Sequence, residues 1–118
     1  MHEASVALSL IGVAETVALE NGGGRVLALT VRIGQWSAVV PTALMAAFPA
    51  CAEGTLLEGA RLNIELVPGV GLCPQHGRVE LELKRGLRCP LCDAPTPTLL
   101  QGDELELDGL ELDGLELQ

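Results

Sequence analysis

The sequence predicts an α+β fold: a small three-stranded sheet packed with two helices, plus an inserted zinc-ribbon-like module. Three observations carry that expectation. Apolar residues recur at helical spacing over residues 4–20 and again after Pro41. They alternate at period two over residues 26–33, 61–67 and 103–107. Between the second and third of those strands stand two ligand pairs, Cys73-Pro-Gln-His76 and Cys89-Pro-Leu-Cys92, at the spacing a tetrahedral metal requires. The main domain is then discontinuous, residues 1–68 plus 102–118, with the zinc-binding domain at 69–101.

The first element is a helix, because Val6, Leu10, Val13 and Val17 recur at spacings of four, three and four and share one stripe. Asn21-Gly-Gly-Gly24 ends it, since both residue types accept the left-handed backbone of a helix C-terminus. Residues 26–33 then place Leu27, Leu29, Val31 and Ile33 on one face of a half-buried strand, stopped by Gly34. Trp36 follows in the connection, where an indole covers an edge of the core.

A second helix starts near Pro41, a residue suited to the first helical turn. Leu44, Ala47, Phe48 and Cys51 form its buried face. Pro49 lacks the N–H that would bond Met45 and its ring crowds that turn, so a kink or an early stop is expected. Cys51 falls outside the paired spacing of the other cysteines and reads as a small core residue. After Glu53-Gly54 and Glu58-Gly59, the second strand turns Leu62, Ile64 and Leu66 inward.

Pro68-Gly69 marks the entry to the metal module. Residues 78–83 form a short strand between the ligand pairs, and residues 93–98, with Pro95 and Pro97, form a linker out. The third strand, at 103–107, alternates acid and leucine. The tail repeats Glu106-Leu-Asp-Gly-Leu110 as Glu111-Leu-Asp-Gly-Leu115. Asp-Gly pairs form turns or bulges, so the strand continues with two interruptions.

Composition narrows the class. At 118 residues there is room for one modest domain or a small domain with a smaller module. With one Phe, one Trp and no Tyr, the core is built from Leu, Val, Ile and Ala. A metal cross-link helps a minor module of this size hold together. No apolar run reaches the length of a membrane span, and the N-terminus lacks the marks of a signal peptide. Cysteine pairs without an export signal read as metal ligands rather than disulfides, which places the protein in the cytoplasm. A net charge of −9 speaks against nucleic acid as the main partner. The charge is uneven: Arg78, Lys84, Arg85 and Arg88 lie in the metal stretch, and nothing after Arg88 is basic.

The ligand set is three thiolates and one imidazole: Cys73, His76, Cys89 and Cys92. Each pair sits on a tight turn that aims both side chains at one point, with Gly71, Gly77 and Gly86 flanking and Pro74 and Pro90 inside. Four ligands close the coordination shell, which makes this zinc structural rather than catalytic. A deaminase also needs a glutamate two places after the ligand histidine, whereas His76 is followed by Gly77-Arg78. The chain is therefore not expected to be an enzyme.

A second metal site is written at the start, Met1-His2-Glu3. A terminal amine, a backbone amide nitrogen and the His2 imidazole close two adjacent chelate rings, and the amide of Glu3 supplies a fourth nitrogen. That donor set suits square-planar Ni(II) or Cu(II).

The opening Met1-His2-Glu3-Ala-Ser5 resembles the start of the HypA/HybF family of hydrogenase nickel-maturation proteins. So do Arg25-Val26 with the strand ending in Ile33-Gly34, Glu53-Gly-Thr55, Glu58-Gly-Ala60, the two ligand pairs and Gly102-Asp-Glu-Leu105. The similarity runs from residue 1 to about 107. It implies a nickel metallochaperone that binds Ni(II) at Met1, His2 and Glu3 and holds structural zinc through the paired cysteines, here Cys73, Cys89 and Cys92. It further implies work with a hydrogenase maturation GTPase to load the hydrogenase large subunit, urease being served by some members. The resemblance leaves monomer and homodimer both open.

One position departs from the family pattern: its first pair normally carries a second cysteine, where this chain has His76. Imidazole still completes a tetrahedron, but the set is less negative by one charge. Protonation of the imidazole competes with metal binding, so metal retention depends on pH through this residue. The competing class is a zinc-ribbon adaptor that binds a protein or nucleic acid through Lys84, Arg85 and Arg88. Overall acidity and the lack of any aromatic in the module for base stacking weigh against it.

Overall fold

A computed structural model describes residues 2–113 and 115–117, apart from the side chains of 115–117. The elements are α1 (Glu3–Glu20), β1 (Val26–Gly34), α2 (Pro41–Ala52), β2 (Arg61–Val67), β3 (Val70–Cys73), β4 (Gly77–Glu80), a 3-10 turn at Leu83–Arg85, β5 (Leu99–Gln101), β6 (Leu105–Leu112) and β7 (Leu115–Leu117). They form a four-stranded sheet in the order β2-β1-β6-β7 and a three-stranded sheet in the order β4-β3-β5. The chain divides into two compact units. The first holds the residues up to Val31, Ala38–Glu65 and those from Glu106 onward, and the second holds Arg32–Ser37 and Leu66–Leu105. The cuts fall inside β1, β2 and at the start of β6, so three continuous strands serve both units.

In the first unit α1 packs on α2. The buried face of α1 is Val6, Ala7, Leu10, Ile11, Ala14 and Ala18, while Val13 is 52% exposed and Val17 is half-buried. The expected valine stripe is therefore rotated: the buried face runs through the fully covered Ala7, Ala14 and Ala18. After Asn21 it is Gly22, Gly23 and Gly24 that take positive φ. Helix α2 runs through Pro49 to Ala52 without stopping. Pro49 is exposed, so its ring meets solvent on the outer side. Leu44, Phe48 and Ala52 are its buried residues, with Ala47 and Cys51 only half-buried. The Cys51 Sγ lies 3.8 Å from the Ala4 carbonyl oxygen.

The segment after α2 is a built loop rather than a spacer. The Gly54 N–H donates to the Glu58 carboxylate, the Leu57 N–H to the Thr55 hydroxyl, and Arg25 to the Glu58 carbonyl. The Leu56 N–H donates to Glu15 of α1 at 3.1 Å, so Glu53-Gly-Thr55 and Glu58-Gly-Ala60 serve to fix this loop.

Strand β1 lies between β2 and β6 and buries Val26, Ala28, Leu29, Val31 and Ile33, with Leu27 outward. From Leu29 to Ile33 the burial alternates as expected, but Leu27 is exposed between the buried Val26 and Ala28 and so lies outside that face. In β2, Leu62 and Val67 are buried but Leu66 is 52% exposed, against the inward position expected for it. In the tail, the first Asp-Gly lies within β6 and the strand continues through it. The second sits between Leu112 and Leu115, which pair across an antiparallel hairpin. The tail thus both lengthens the third strand to Leu112 and adds a fourth.

Candidate metal centre

The metal module is built around two short turns. Strand β3 ends at Cys73 and β4 begins at Gly77, and these two residues pair directly, leaving Pro74, Gln75 and His76 as the turn. Gly77 closes it at φ 70, a left-handed position that a residue without a Cβ adopts most readily. In the second turn the Asp93 N–H donates to the Cys89 carbonyl and the Cys89 N–H to the Ala94 carbonyl, both at 2.8 Å. There the left-handed position is Asp93, at φ 63, not the expected Gly86, which instead follows the 3-10 turn. Gly71 does not shape a turn either: it lies in β3, where a Cβ would come within 3.0 Å of Thr96.

Both turns treat their leading cysteine alike. The Gln75 N–H donates to the Cys73 Sγ and the Leu91 N–H to the Cys89 Sγ, each at 3.4 Å. At Cys73 this bond favours thiolate over thiol, because it is made to the charged form. The turns bring Cys73, His76, Cys89 and Cys92 together with all four donor atoms within 4.8 Å of one another. The Cys73 Sγ lies 3.6 Å from the His76 Nδ1 and 3.6 Å from the Cys92 Sγ, and the Cys89 Sγ lies 3.6 Å from the same nitrogen. A tetrahedral shell with thiolates at about 2.3 Å and imidazole at about 2.0 Å has edges of about 3.5–3.8 Å. The residues therefore fit zinc in both donor chemistry and spacing.

The electrostatics agree. Burial opposes ionisation of Cys73, but the N–H groups of Gln75 and His76, the His76 ring and the Cys92 thiol bring it down to about 6. Cys92 moves the other way. The Ala94 N–H favours its thiolate, yet loss of solvent and the sulfurs of Cys73 and Cys89 raise it. Clustered sulfurs resist carrying full charge together, and a dication removes that resistance.

Cys73 and Cys89 are buried, whereas His76 and Cys92 are exposed, so the second ligand of each pair is the one that meets solvent. Behind the sulfurs lie Val79 and Leu81, with Trp36, Ala94 and Leu99 packed against them. Trp36 is thus part of the apolar wall behind the ligands rather than a cover over an edge, and only its place after β1 hinted at it. Residues 93–98, read as a linker, fold back: Pro95 bridges Arg88, the Thr96 N–H donates to the Leu87 carbonyl at 2.8 Å, and Thr96 is fully buried. Strand β3 was hidden in the sequence because Val70-Gly-Leu-Cys73 is short and interrupted by glycine. The basic side chains of this module are partly engaged: Arg85 pairs with Glu82 at 3.1 Å, and Arg85 and Arg88 each reach Asp93 at 3.9 Å.

At the N-terminus, His2 is the N-cap of α1 and is exposed, and its side chain makes no capping bond. Glu3 is the first helical residue, and its Oε2 accepts the Val40 N–H at 3.1 Å. Met1 lies outside the described residues.

Residues 1–112 match the family model described as hydrogenase/urease nickel incorporation, metallochaperone, HypA. The chain is 76% identical over 107 residues to the hydrogenase maturation factor HypA of Deinococcus radiodurans, covering 91% of this chain and 89% of that one. It is 45% identical over 108 residues to the factor of the same name from Chloroflexus aurantiacus, covering 91% and 95%. The solution structure of the nickel metallochaperone HypA from Helicobacter pylori superposes with a TM-score of 0.69 at 28% identity, covering 95% of this chain and 97% of that one. The chain belongs to the HypA family of metallochaperones for nickel incorporation in hydrogenase maturation.

Proposed function

We propose that this chain carries Ni(II) on Met1, His2 and Glu3 and passes it to the large subunit of nickel–iron hydrogenase, with a partner GTPase and in the cytoplasm. Urease is a second recipient open to the same chemistry. In this division of labour residues 1–68 with 102–118 handle nickel, and residues 69–101 hold a structural zinc through Cys73, His76, Cys89 and Cys92.

The observation that supports the nickel site is the start of α1 at Glu3. The first four N–H groups of a helix have no partner within it. The amide nitrogens of His2 and Glu3 can then lose their protons to a metal without breaking a helical bond. The exposed His2 imidazole adds a nitrogen, and the Met1 amine completes four donors in a plane. Nickel so bound sits at the end of the chain, reachable by an acceptor, which suits a cargo that must be handed over.

Equilibrium dialysis of untagged protein with metal analysis tests this. The parent is expected to hold zinc and one exchangeable nickel, and His2→Ala to keep zinc while losing nickel. Nickel bound equally tightly by His2→Ala would overturn the N-terminal assignment.

A further inference from the structure

The side chain of Glu3 has a destination of its own. Its Oε2 accepts the backbone N–H of Val40, the N-cap residue of α2, at 3.1 Å. In a capping box that N–H is taken by a Glu or Gln at the third position of its own helix. Here that position is Ala43, which has no acceptor, and Val40 offers no side-chain cap. Glu3 supplies the missing acceptor from the other helix.

We propose that Glu3 is a positioning residue for the nickel motif: its carboxylate does not ligate the metal but ties the first turn of α1 to the start of α2. This rests on the reading that nickel binds at Met1, His2 and Glu3. One residue then does two jobs at opposite ends of its structure. The amide nitrogen belongs to the chelate, and the carboxylate, engaged with Val40, fixes that nitrogen in place. A terminal tripeptide would otherwise have to freeze its backbone on binding, and an anchor on its third residue removes part of that cost. The same bond holds α2 at the residue from which its first turn starts, the Leu44 N–H donating to the Val40 carbonyl at 3.0 Å. Nickel occupancy and the placement of the α2 N-terminus are thereby linked through one side chain.

The two roles for the carboxylate separate cleanly by substitution. Glutamine keeps an oxygen that accepts the Val40 N–H but is a poor metal ligand, whereas alanine keeps neither. The experiment titrates Ni(II) into untagged full-length chain and reads affinity with the visible absorption and circular dichroism of the nickel complex. Parent, Glu3→Gln, Glu3→Ala, Val40→Pro and His2→Ala are compared, with far-ultraviolet circular dichroism confirming the helices. Glu3→Gln should keep both the parental spectrum and affinity. Glu3→Ala should weaken nickel on the order of threefold to tenfold, as expected for one exposed charge-assisted hydrogen bond. Val40→Pro, which removes the donor without touching the motif, should weaken nickel similarly and add little to Glu3→Ala.

Equal loss in Glu3→Gln and Glu3→Ala, with a changed spectrum, would make the carboxylate a ligand and overturn the proposal. Unchanged affinity in Glu3→Ala would overturn it as well. Nickel unaffected by His2→Ala would overturn the N-terminal reading and the positioning role with it.

Discussion

The indole of Trp36 lies so close over the α-carbon of Gly69 that a Cβ there would come within 2.1 Å of the Trp36 Nε1. Glycine is needed here for contact, not for backbone freedom, since Gly69 is absent from the positive-φ residues. The Trp36 backbone N–H donates to the Gly102 carbonyl at 2.7 Å, so the main chain beneath the ring is held within the second unit.

Gly69→Ala should therefore destabilise the zinc unit by about 1–3 kcal/mol, the usual cost of overpacking a fitted contact. Trp36 is the only tryptophan and packs against the core that holds Cys73 and Cys89, so its fluorescence reports this unit directly. Denaturant unfolding followed by that fluorescence should move to lower denaturant. An unmoved midpoint would show that the ring is free to leave Gly69.

His76 sets the character of the zinc site. Its Nδ1 stands 3.6 Å from two sulfurs, and it is exposed. His76→Cys should keep a closed tetrahedral shell and still hold zinc, because a fourth thiolate takes the place of the imidazole. His76→Ala should open the shell and weaken zinc by at least about tenfold, as loss of a ligating or supporting group does. Chelator competition at several pH values measures both. Equal zinc affinity in His76→Ala would remove the imidazole from the ligand set.

The metal-free thiols should titrate apart. Cys73 is held at about 6 against an ordinary 9.0, while Cys92 is raised. For Cys73 the folded value lies below the unfolded one. Its contribution to stability is thus complete above pH 9.0 and is lost as pH falls toward about 6. Cys92 has the opposite sign and costs stability as pH rises through its ordinary range. Ultraviolet thiolate absorbance of the metal-free protein, in a Cys51→Ala background, should show a first thiolate near pH 6. A single step at pH 9.0 for every thiol would contradict the arrangement.

The metal centre was the most legible part of the sequence, because ligand spacing is local: two residues between partners already dictate a turn. The four expected ligand residues, Cys73, His76, Cys89 and Cys92, lie with their donor atoms within 4.8 Å of one another. What supports them was less legible. Asp93 occupies a left-handed position usually given to glycine, and Thr96 is buried between two prolines that read as linker. Both depend on contacts across the turn that no local pattern encodes. The helices were legible in extent, but the buried face of α1 was not. Its alanines carry no hydrophobic signal comparable to that of Val13, which faces solvent. In the tail, two identical Asp-Gly repeats have different fates, one inside β6 and one at the β6–β7 hairpin. Identical local sequence cannot distinguish them; pairing can.

A last prediction concerns the terminal amine. If Met1, His2 and Glu3 chelate nickel as proposed, the amine is the first donor of a ring closed by the adjacent amide. Acetylating the Met1 amine converts it to an amide and removes it as the first donor. The His2 imidazole and the amides of His2 and Glu3 remain, as does the Glu3–Val40 bond, so fold and zinc should be unchanged. Nickel should weaken by at least about tenfold, because a tethered amine acts at a high effective concentration that the acetylated chain no longer supplies. Its spectrum should change too, since the rings around the metal are different. Isothermal titration of the two proteins side by side measures the loss, and equal affinity would show that the amine is not a ligand.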